Sequence, residues 1–357
     1  MEIFMEQNKR FEKRLESIPA AIWSKCSQID ELKGRWIAGA QLSPQVLGRL
    51  KRSVLITSAG ASTRIEGARL SDEDVEKLMR GLLVRKFADR DKQEVKGYYE
   101  LLENVFEAWK HIGFGESAIK HFHKQLLKYT DKDELHRGEY KKKENTVKMV
   151  DAAGNPIATI FETVPAYLTP KEMQELTDWT KATLAERKYH PLFIIANFIV
   201  EFLKIHPFED GNGRLSRILT NLLLLKAGYL YMPYVSHEKL VEDNKTDYYL
   251  ALRRSQKTMK TRHEDITPWL EFFLTVFLKQ SEIAVELLSQ ENIEKILSAK
   301  QLAIWRYLQI VPEAYPREIA KAAKVARPTV NQALDKLLRL KRIERLGLGR
   351  STRYKKA

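Results

Sequence analysis

The chain has almost no cysteine and no long uninterrupted apolar run. Cys26 is the one cysteine among 357 residues, which excludes an intramolecular disulfide framework and a cysteine-based zinc site. The longest apolar stretches are broken by Asn197, Glu201 and Asn221, so none reaches the ~18 residues that a membrane span needs. The stretch MEIFMEQNKRFEKRLESIP lacks the apolar segment of a secretory signal. These absences predict a cytoplasmic protein with no membrane partner, in which Cys26 is a partly buried thiol.

Several common catalytic motifs are missing as well. No Walker A pattern occurs, and no Ser-His-Asp arrangement has a nucleophile elbow. His121 and His123 have the H-x-H spacing found in some metal sites, but no cluster of acids or cysteines accompanies them. We interpret both as ordinary helix residues. A nucleotide would therefore have to be held by something other than a P-loop.

Positive charge, by contrast, is concentrated at one end of the chain. The formal net charge is +14, and from Lys300 onward 15 Lys and Arg stand against 4 Asp and Glu, which is 15 − 4 = +11. The first 299 residues carry the remaining +3. With 44% hydrophobic and 30% charged residues, the composition is that of a soluble globular protein. The basic end indicates either a polyanionic partner or a solubilising surface.

Hydrophobic periodicity predicts a mainly α protein. Ser71 is placed to cap the start of a helix and Gly228 to end one. Alternating residues around the turn-forming AGNP predict a β-hairpin at 145–164. The adjacent run KKKE at 141–144 is interpreted as a solvated turn, with docking of an acidic target as the alternative. The predicted helices of the first 290 residues lie in FEKRLESIPAAIWSKC, SPQVLGRLKRSVLITSAGASTRIEG, SDEDVEKLMRGLL, EVKGYYELLENVFEAWKHI, AIKHFHKQLLKYT, TPKEMQELTDWTKATL, PLFIIANFIVEFLKI, RLSRILTNLLLLKAG and ITPWLEFFLTVFLKQSEIAVELL.

Residues 299–357 are predicted to form a winged helix-turn-helix. REIAKAAKVARPTVNQALDKL has the spacing of two helices joined by a tight turn, and RIERLGLGRSTRYKK supplies a two-stranded wing around Gly347 and Gly349. The charge balance favours duplex DNA as the partner through phosphate neutralisation, with a protein partner as the alternative. The side chains expected to face the partner are Arg327, Thr329, Asn331 and Gln332 on the second helix and Arg350, Arg353, Lys355 and Lys356 on the wing.

The stretch HPFEDGNGRLSR, residues 206–217, joins two strongly apolar predicted helices. Gly211, Asn212 and Gly213 fall at the start of the second helix, where free N–H groups and the helix dipole attract anions. Glycines let a phosphate approach the backbone closely. Arg214 and Arg217 lie three apart on that helix and can reach the same anion. This helix start is therefore a predicted phosphate site.

The same stretch supplies a base and a hard oxygen ligand. His206, with an unperturbed pKa of ~6.5, suits a general base at neutral pH. Asp210 offers the carboxylate that Mg²⁺ bound to a nucleotide requires, and Phe208 is expected to anchor the loop in the core. Together these residues predict phosphoryl or nucleotidyl transfer to an acceptor whose proton His206 removes.

The stretch resembles the signature of Fic-domain proteins, H-x-F-x-(D/E)-G-N-G-R-x-x-R, at every defined position. The resemblance extends over roughly residues 95–285, because Fic domains are helical and carry a β-hairpin flap that 145–164 would supply. It implies a helical Fic fold with three parts: an N-terminal helical module at 1–94, the Fic catalytic domain at 95–285 and the winged helix-turn-helix at 299–357. The matching residues are His206, Phe208, Asp210, Gly211, Asn212, Gly213, Arg214 and Arg217.

The resemblance also implies an activity, which is AMP transfer from Mg-ATP to a Ser, Thr or Tyr hydroxyl of a target protein, including the protein itself. His206 would be the general base and Asp210 the Mg²⁺ ligand. The amides of 211–213 would cradle the α- and β-phosphates, Asn212 and Arg214 would hold the phosphates, and Arg217 would bind the γ-phosphate. Tyr248, Tyr249 and, less strongly, Asn244 resemble the segment that lines the adenine pocket; core packing of the two tyrosines is the alternative.

Residues 62–67, STRIEG, fit the inhibitory motif (S/T)-x-x-x-E-(G/N) of this family through Ser62, Glu66 and Gly67. Positions 62 and 66 share a helix face. A carboxylate brought to Arg217 would compete with the γ-phosphate, so we expect an autoinhibited enzyme. The alternatives are a nucleotide-sensing DNA-binding regulator, transfer of another phosphate-containing group, and AMP removal with Glu66 orienting water. Homodimers are frequent in the family, but no stretch of this sequence reveals such an interface.

Overall fold

A computed structural model describes residues 10–39, 44–81, 89–150, 156–340, 342–347 and 349–357. The chain divides into two compact units, Met1–Val285 and Glu286–Ala357. The helices before residue 95 and those after it belong to the same unit, so the predicted boundary at residue 94 stays a prediction.

The first unit is mainly helical, as the periodicity predicts. Short 3₁₀ segments lie at Asp131–His136, Ala166–Leu168 and Met232–Tyr234. The helices are α1 (Ala20–Gly39), α2 (Pro44–Ile65), α3 (Asp72–Met79), α4 (Asp89–Ala108), α5 (Glu116–Leu126), α6 (Thr169–Glu186), α7 (Pro191–Ile205), α8 (Asn212–Lys226), α9 (His237–Asp243), α10 (Lys245–Thr258) and α11 (Thr267–Ile296).

Helix α7 forms the centre of the core: residues 192–203 and Ile205 are all buried, and its buried polar side chains, Asn197 and Glu201, both accept hydrogen bonds from Arg14. It packs between α6 and α8. Helix α8 is likewise buried along nearly its whole length. The two helices that flank the predicted site are therefore rigid elements of the core.

The predicted helix signals are confirmed. Ser71 caps α3, with its hydroxyl accepting from the N–H of Asp74 and the Asp74 carboxylate accepting from the Ser71 N–H. Gly228 follows α8 with φ +88°, and its N–H donates to Leu225 O while that of Tyr229 donates to Leu224 O. This pattern is a Schellman end, which requires the left-handed backbone that glycine adopts without strain.

A β-hairpin interrupts the helices where the alternation predicts one. Strands β1 (Thr146–Val150) and β2 (Pro156–Glu162) pair antiparallel, with Thr146 opposite Glu162 and irregularities in the register on the way to the tip. Residues 151–155, which hold most of the predicted AGNP turn, lie outside the described residues. The mainly α fold with a small hairpin is thus confirmed.

The second unit has the order of elements expected for a winged helix-turn-helix. Helix α12 (Ala299–Ile310) is followed by Ala314, which bridges to Tyr354, and then by α13 (Pro316–Ala323) and α14 (Arg327–Arg339). Strands β3 (Ile343–Leu346) and β4 (Arg353–Lys356) close the unit as an antiparallel pair. Residue 348 at the predicted wing tip lies outside the described residues, and the Arg350 side chain is not described.

The structure bears on two further expectations, one about membrane-spanning helices and one about the burial of Cys26. In the part of the chain that the structure describes, no helix has the length and apolar character of a membrane span. Cys26 is more deeply buried than expected, at 1% exposure, and burial raises the pKa of its thiol to about 12. A thiol of that kind is unreactive at neutral pH.

Candidate active site

The loop between α7 and α8 carries the predicted site. Helix α7 ends at Ile205, His206 adopts a left-handed conformation with φ +52°, and Pro207 cannot continue a helix because it lacks an N–H. Gly211, with φ +79°, then precedes the first turn of α8. The glycine is required here because the left-handed region is strained for residues with a Cβ.

Buried contacts hold this loop in place from the side of α5. Phe208 is fully buried, as predicted, and stacks on the His123 ring with centroids 3.8 Å apart. The N–H of Gly138 donates to His123 Nδ1 at 2.9 Å, so the other ring nitrogen, Nε2, carries the hydrogen and donates to Asp210 O at 3.0 Å. Burial lowers the pKa of His123 to about 4, which keeps the ring neutral.

His123 is therefore more than the ordinary helix residue that the sequence indicated. It supports the loop from 87 residues away along the chain. In the described ranges, no group of three or more His, Cys, Asp or Glu is arranged so that it could hold a metal ion.

Asn212 also holds the loop. Its side-chain oxygen accepts from the Phe208 N–H at 3.0 Å, and its amide nitrogen donates to Phe208 O at 2.8 Å. Both ends of the side chain are thus engaged with one residue, and only 1% of Asn212 is exposed. In this arrangement Asn212 can offer a phosphate its backbone N–H, and the predicted phosphate contact of the side chain stays a prediction.

His206 has the chemistry expected of a base. Its Nδ1 lies 3.3 Å from Leu203 O, and because a carbonyl only accepts, Nδ1 carries the hydrogen and Nε2 is the acceptor nitrogen of the ring. Burial lowers the pKa of His206 to about 4, with Lys141 contributing in the same direction, while Leu203 O, Glu66 and Asp210 oppose the shift. The ring is therefore neutral at pH 7.

The inhibitory motif lies against Arg217. The guanidinium donates from Nε to Ser62 Oγ at 2.8 Å, and from Nη2 to Ser62 O at 2.9 Å and Glu66 Oε1 at 2.7 Å. Burial lowers the pKa of Arg217, but Glu66 together with Tyr248 and Tyr98 raises it by more, so the guanidinium stays charged. Gly67, with φ +106°, turns the chain away after Glu66. The structure brings Ser62 and Glu66 together at Arg217.

The Glu66 carboxylate occupies the start of α8 as well. A Cβ placed on Gly213 would come within 2.2 Å of Glu66 Oε1, so the carboxylate lies directly against the glycine backbone. A helix start is where an anion is favoured. Glu66 therefore lies where a phosphate is predicted to bind, and contacts the arginine predicted to bind it.

Asp210, the predicted Mg²⁺ ligand, is paired with two arginines. Its Oδ2 accepts from Arg214 Nη2 and Arg90 Nη2, each at 2.8 Å, and Arg214 also pairs with Glu94 at 2.8 Å. Burial raises the pKa of Asp210, but Arg214, a backbone N–H and Arg90 lower it by more, so the carboxylate is ionised. Arg90 and Glu94 belong to α4, and nothing in the signature pattern points to either.

Asp210 suits Mg²⁺ only as a ligand shared with a nucleotide. Mg²⁺ is commonly held by one or two carboxylates together with substrate phosphates. Asp210 is a single carboxylate with 38% of its side chain exposed, and its exposed partner Arg90 can be displaced. The residues present thus fit a cation that arrives with phosphate oxygens.

The three residues predicted to line the adenine pocket differ in how far they are buried. Tyr248 is buried next to Arg217, and its ring packs 5.8 Å from Trp269 and 5.7 Å from Phe272. Tyr249 is partly exposed on the Glu66 side. Asn244 is exposed and donates to Leu240 O at 2.8 Å. Tyr248 therefore has the core packing that was the alternative, and Tyr249 is better placed to meet a ligand.

Lys141 corrects the interpretation of 141–144 as a solvated turn. Lys142, Lys143 and Glu144 are exposed, but Lys141 is only 3% exposed. Its ammonium donates to Ile205 O at 3.0 Å, Asn145 Oδ1 at 2.8 Å and Thr163 Oγ1 at 2.9 Å. A run of three lysines gives no sign of which one is buried, because burial here depends on contacts with α7.

Fold and loop together define a class of protein, mainly helical, with a neutral histidine in the loop before a helix start that is predicted to bind an anion. Residues 113–224 match the model of the Fic/DOC family. The chain is 26% identical to a Fic family protein from Desulfovibrio desulfuricans of known structure, with a TM-score of 0.62 and coverage of 96% of this chain and 97% of that one. Residues 113–224 of the chain are therefore a Fic/DOC-family domain.

Curated relatives carry the name of an activity. A probable protein adenylyltransferase of Aquifex aeolicus is 27% identical over 149 residues, which are 38% of this chain and 44% of that protein. The protein adenylyltransferase Fic of Nematostella vectensis is 32% identical over 102 residues, 29% of this chain and 21% of that one. The chain spans less than half the length of these relatives, so the similarity concerns the Fic region.

Proposed function

We propose that this protein is an autoinhibited protein adenylyltransferase, which transfers AMP from Mg-ATP to a Ser, Thr or Tyr hydroxyl of a target protein or of itself. The observation that carries the proposal is the double engagement of Glu66. Its carboxylate contacts both Arg217 and the Gly213 turn, which are the two elements predicted to bind phosphate. The names of the relatives support the reaction class.

The residues divide the chemistry among them. The acceptor hydroxyl loses its proton to His206 Nε2 while its oxygen forms a bond to the α-phosphorus. The bond from that phosphorus to the oxygen bridging to the β-phosphate breaks, and pyrophosphate leaves. The N–H groups of 211–213 and the guanidinium of Arg217 stabilise the phosphate charge, which is the main catalytic contribution available in phosphoryl-type transfers. Tyr249 and Asn244 are assigned to the adenine side.

Mg²⁺ would be held by Asp210 together with phosphate oxygens of the nucleotide, and it neutralises phosphate charge when bound. The protein must first free Asp210 from Arg90. Arg90 has 47% of its side chain exposed, so it can turn to solvent at small cost.

Autoinhibition follows from the ion pair at Arg217. A hydrogen bond to a charged group contributes about 1.5–3 kcal/mol, and Glu66 offers it without the entropy loss of binding a free ligand. Removal of the carboxylate leaves a buried guanidinium whose described partners are neutral Ser62 atoms. An incoming phosphate then restores an anionic partner.

Labelled ATP tests the proposal directly. The Glu66→Gly protein is incubated with ATP labelled at the α- or the γ-phosphate, alone and in cell extract, and protein-bound label is measured. We expect label from the α-phosphate only, and at least about tenfold more than with the wild type, since 1.4 kcal/mol corresponds to tenfold.

Two variants serve as controls. Glu16 is exposed and lies outside the helices, so Glu16→Gly should behave as wild type. Adding His206→Ala to Glu66→Gly should abolish the label. Protein-bound label from the γ-phosphate would indicate transfer of another group, and loss of preformed AMP-protein that depends on Glu66 would indicate AMP removal.

A DNA-linked function is kept as a second candidate because of the charge and exposure of α14. Arg327, Asn331 and Gln332 are all exposed at its start. If the Fic pocket senses nucleotide without turnover, His206→Ala would leave nucleotide-dependent DNA binding intact, whereas an enzyme would lose AMP transfer.

A further inference from the structure

A buried lysine, Lys141, forms hydrogen bonds with the residues on either side of the candidate base, His206. The ammonium of Lys141 donates to Ile205 O, the carbonyl just before His206, at 3.0 Å, and its backbone N–H donates to Pro207 O, the carbonyl just after His206, at 2.9 Å. One residue thus holds the carbonyls of the two residues that flank a histidine whose φ of +52° is strained.

The same ammonium ties this loop to the base of the hairpin. It donates to Asn145 Oδ1 and Thr163 Oγ1, the residues just before β1 and just after β2. The Thr163 hydroxyl donates a hydrogen bond to Asn145 O at 2.7 Å, and Asn145 Nδ2 donates one to Phe208 O at 3.0 Å. The residues that flank the two strands are therefore both linked to the loop, Asn145 directly through Phe208 O and Thr163 through the ammonium of Lys141.

Charge makes these contacts specific to a lysine. Three acceptors match the three hydrogens of an ammonium, and the ammonium lies at the C-terminal end of α7, where a positive charge is favoured. Burial lowers the pKa of Lys141 to about 8, with Glu144 opposing the shift, so the group is charged at neutral pH. Among the described residues, His206 is a further titratable group that interacts with Lys141, and its ring is neutral at that pH.

We propose that Lys141 is a positioning residue, which fixes the orientation of His206 and couples it to the hairpin, so that base and hairpin move as one body. The inference rests on the proposed function for its catalytic part, whereas the coupling of loop and hairpin stands on the contacts alone.

Lys141→Met tests the coupling without relying on activity. In the full-length protein, backbone hydrogen exchange of peptides covering 146–162 should speed up, because the hairpin loses its link to α7. Lys143→Met is the matched control, since it removes the same charge from an exposed neighbour. Unchanged exchange in a folded Lys141→Met protein would overturn the proposal.

The catalytic part is measured in the Glu66→Gly background with α-labelled ATP. Lys141→Met should lower kcat by about 10- to 100-fold, which is the cost of a misplaced catalytic group, and leave the ATP affinity unchanged. The decline in kcat above about pH 8, expected when the ammonium loses its third hydrogen, should vanish in the variant. An equal loss of ATP affinity would mean that Lys141 supports the fold alone.

If Lys141→Met does not fold, Thr163→Val carries the test, because it removes one acceptor and keeps the shape of the side chain. It should give a smaller change in the same direction, and unchanged kcat and exchange would overturn the proposal. Failure of Glu66→Gly itself to transfer AMP would count against the proposed function, while the exchange measurement would still decide the coupling.

Discussion

His206 combines a strained backbone with an unusually low pKa. A non-glycine residue in the left-handed region costs about 1–2 kcal/mol, and the contacts of Lys141, Asn145 and His123 with neighbouring carbonyls maintain that conformation. In that conformation Nδ1 is held by Leu203 O, so Nε2 is the acceptor nitrogen of the ring. Orientation and protonation state are thus both set by the loop.

The pKa of His206 predicts how the activity depends on pH on the acid side. Because burial lowers it to about 4, kcat/KM of the Glu66→Gly protein should stay level as pH falls through 6.5 and decline only near pH 4. An unperturbed histidine would lose half of its basic form near ~6.5. The measurement is the pH profile of AMP incorporation from α-labelled ATP.

Stability must be followed in the same buffers, and its sign can be worked out. The pKa values of His206 and His123 are both depressed in the folded state, to about 4. Between ~6.5 and 4 the unfolded chain binds protons that the folded chain does not, so stability falls as pH is lowered across that window. A loss of activity at pH 6 with an unchanged melting temperature would contradict the assignment of a low pKa to the base.

The residues that sequence reasoning found and missed differ in one respect. His206, Asp210, Arg214 and Arg217 lie in one contiguous stretch with a recognisable spacing, and Ser62 and Glu66 share a helix face. Lys141, His123, Arg90 and Glu94 act on that stretch from other elements. Their positions depend on tertiary packing, and no local pattern encodes it.

At the scale of elements, the periodicity was sufficient for most helices because their apolar faces are buried. Helix α2 shows which contacts the periodicity could not predict. The pattern predicted the helix and the shared face of Ser62 and Glu66, but not the further attachment of its last turn. Arg64 donates to Glu242 from Nε at 2.6 Å and from Nη2 at 3.1 Å, and to Leu70 O at 2.7 Å. The inhibitory carboxylate therefore stands at a well-anchored helix end.

Helix α14 carries the prediction for DNA. If its exposed start binds phosphates, the full-length protein should bind random-sequence duplex DNA with an affinity that falls steeply as salt rises. Arg327→Ala should reduce the slope of log K against log salt by about 1. Lys300→Ala, which removes an exposed charge from α12, is the control and should leave the slope unchanged. No binding at low salt would favour a protein partner.

At the scale of the whole molecule, the proposed inhibition and the proposed catalysis depend on the same atoms. One buried guanidinium and one helix start are engaged by Glu66 from α2, while the base that they would serve belongs to the end of α7. Residues before position 95 therefore contribute to the site in the same compact unit. A segment that displaced α2 would expose the phosphate site without changing the loop.

The central claim is that Glu66 and a nucleotide phosphate compete for Arg217 and the start of α8. Calorimetric titration with Mg-ATP measures this most directly, in a His206→Ala background that prevents turnover. We predict that Glu66→Gly binds about tenfold more tightly than Glu16→Gly, as expected when one charged competitor is removed. Equal affinities in the two proteins would contradict the claim.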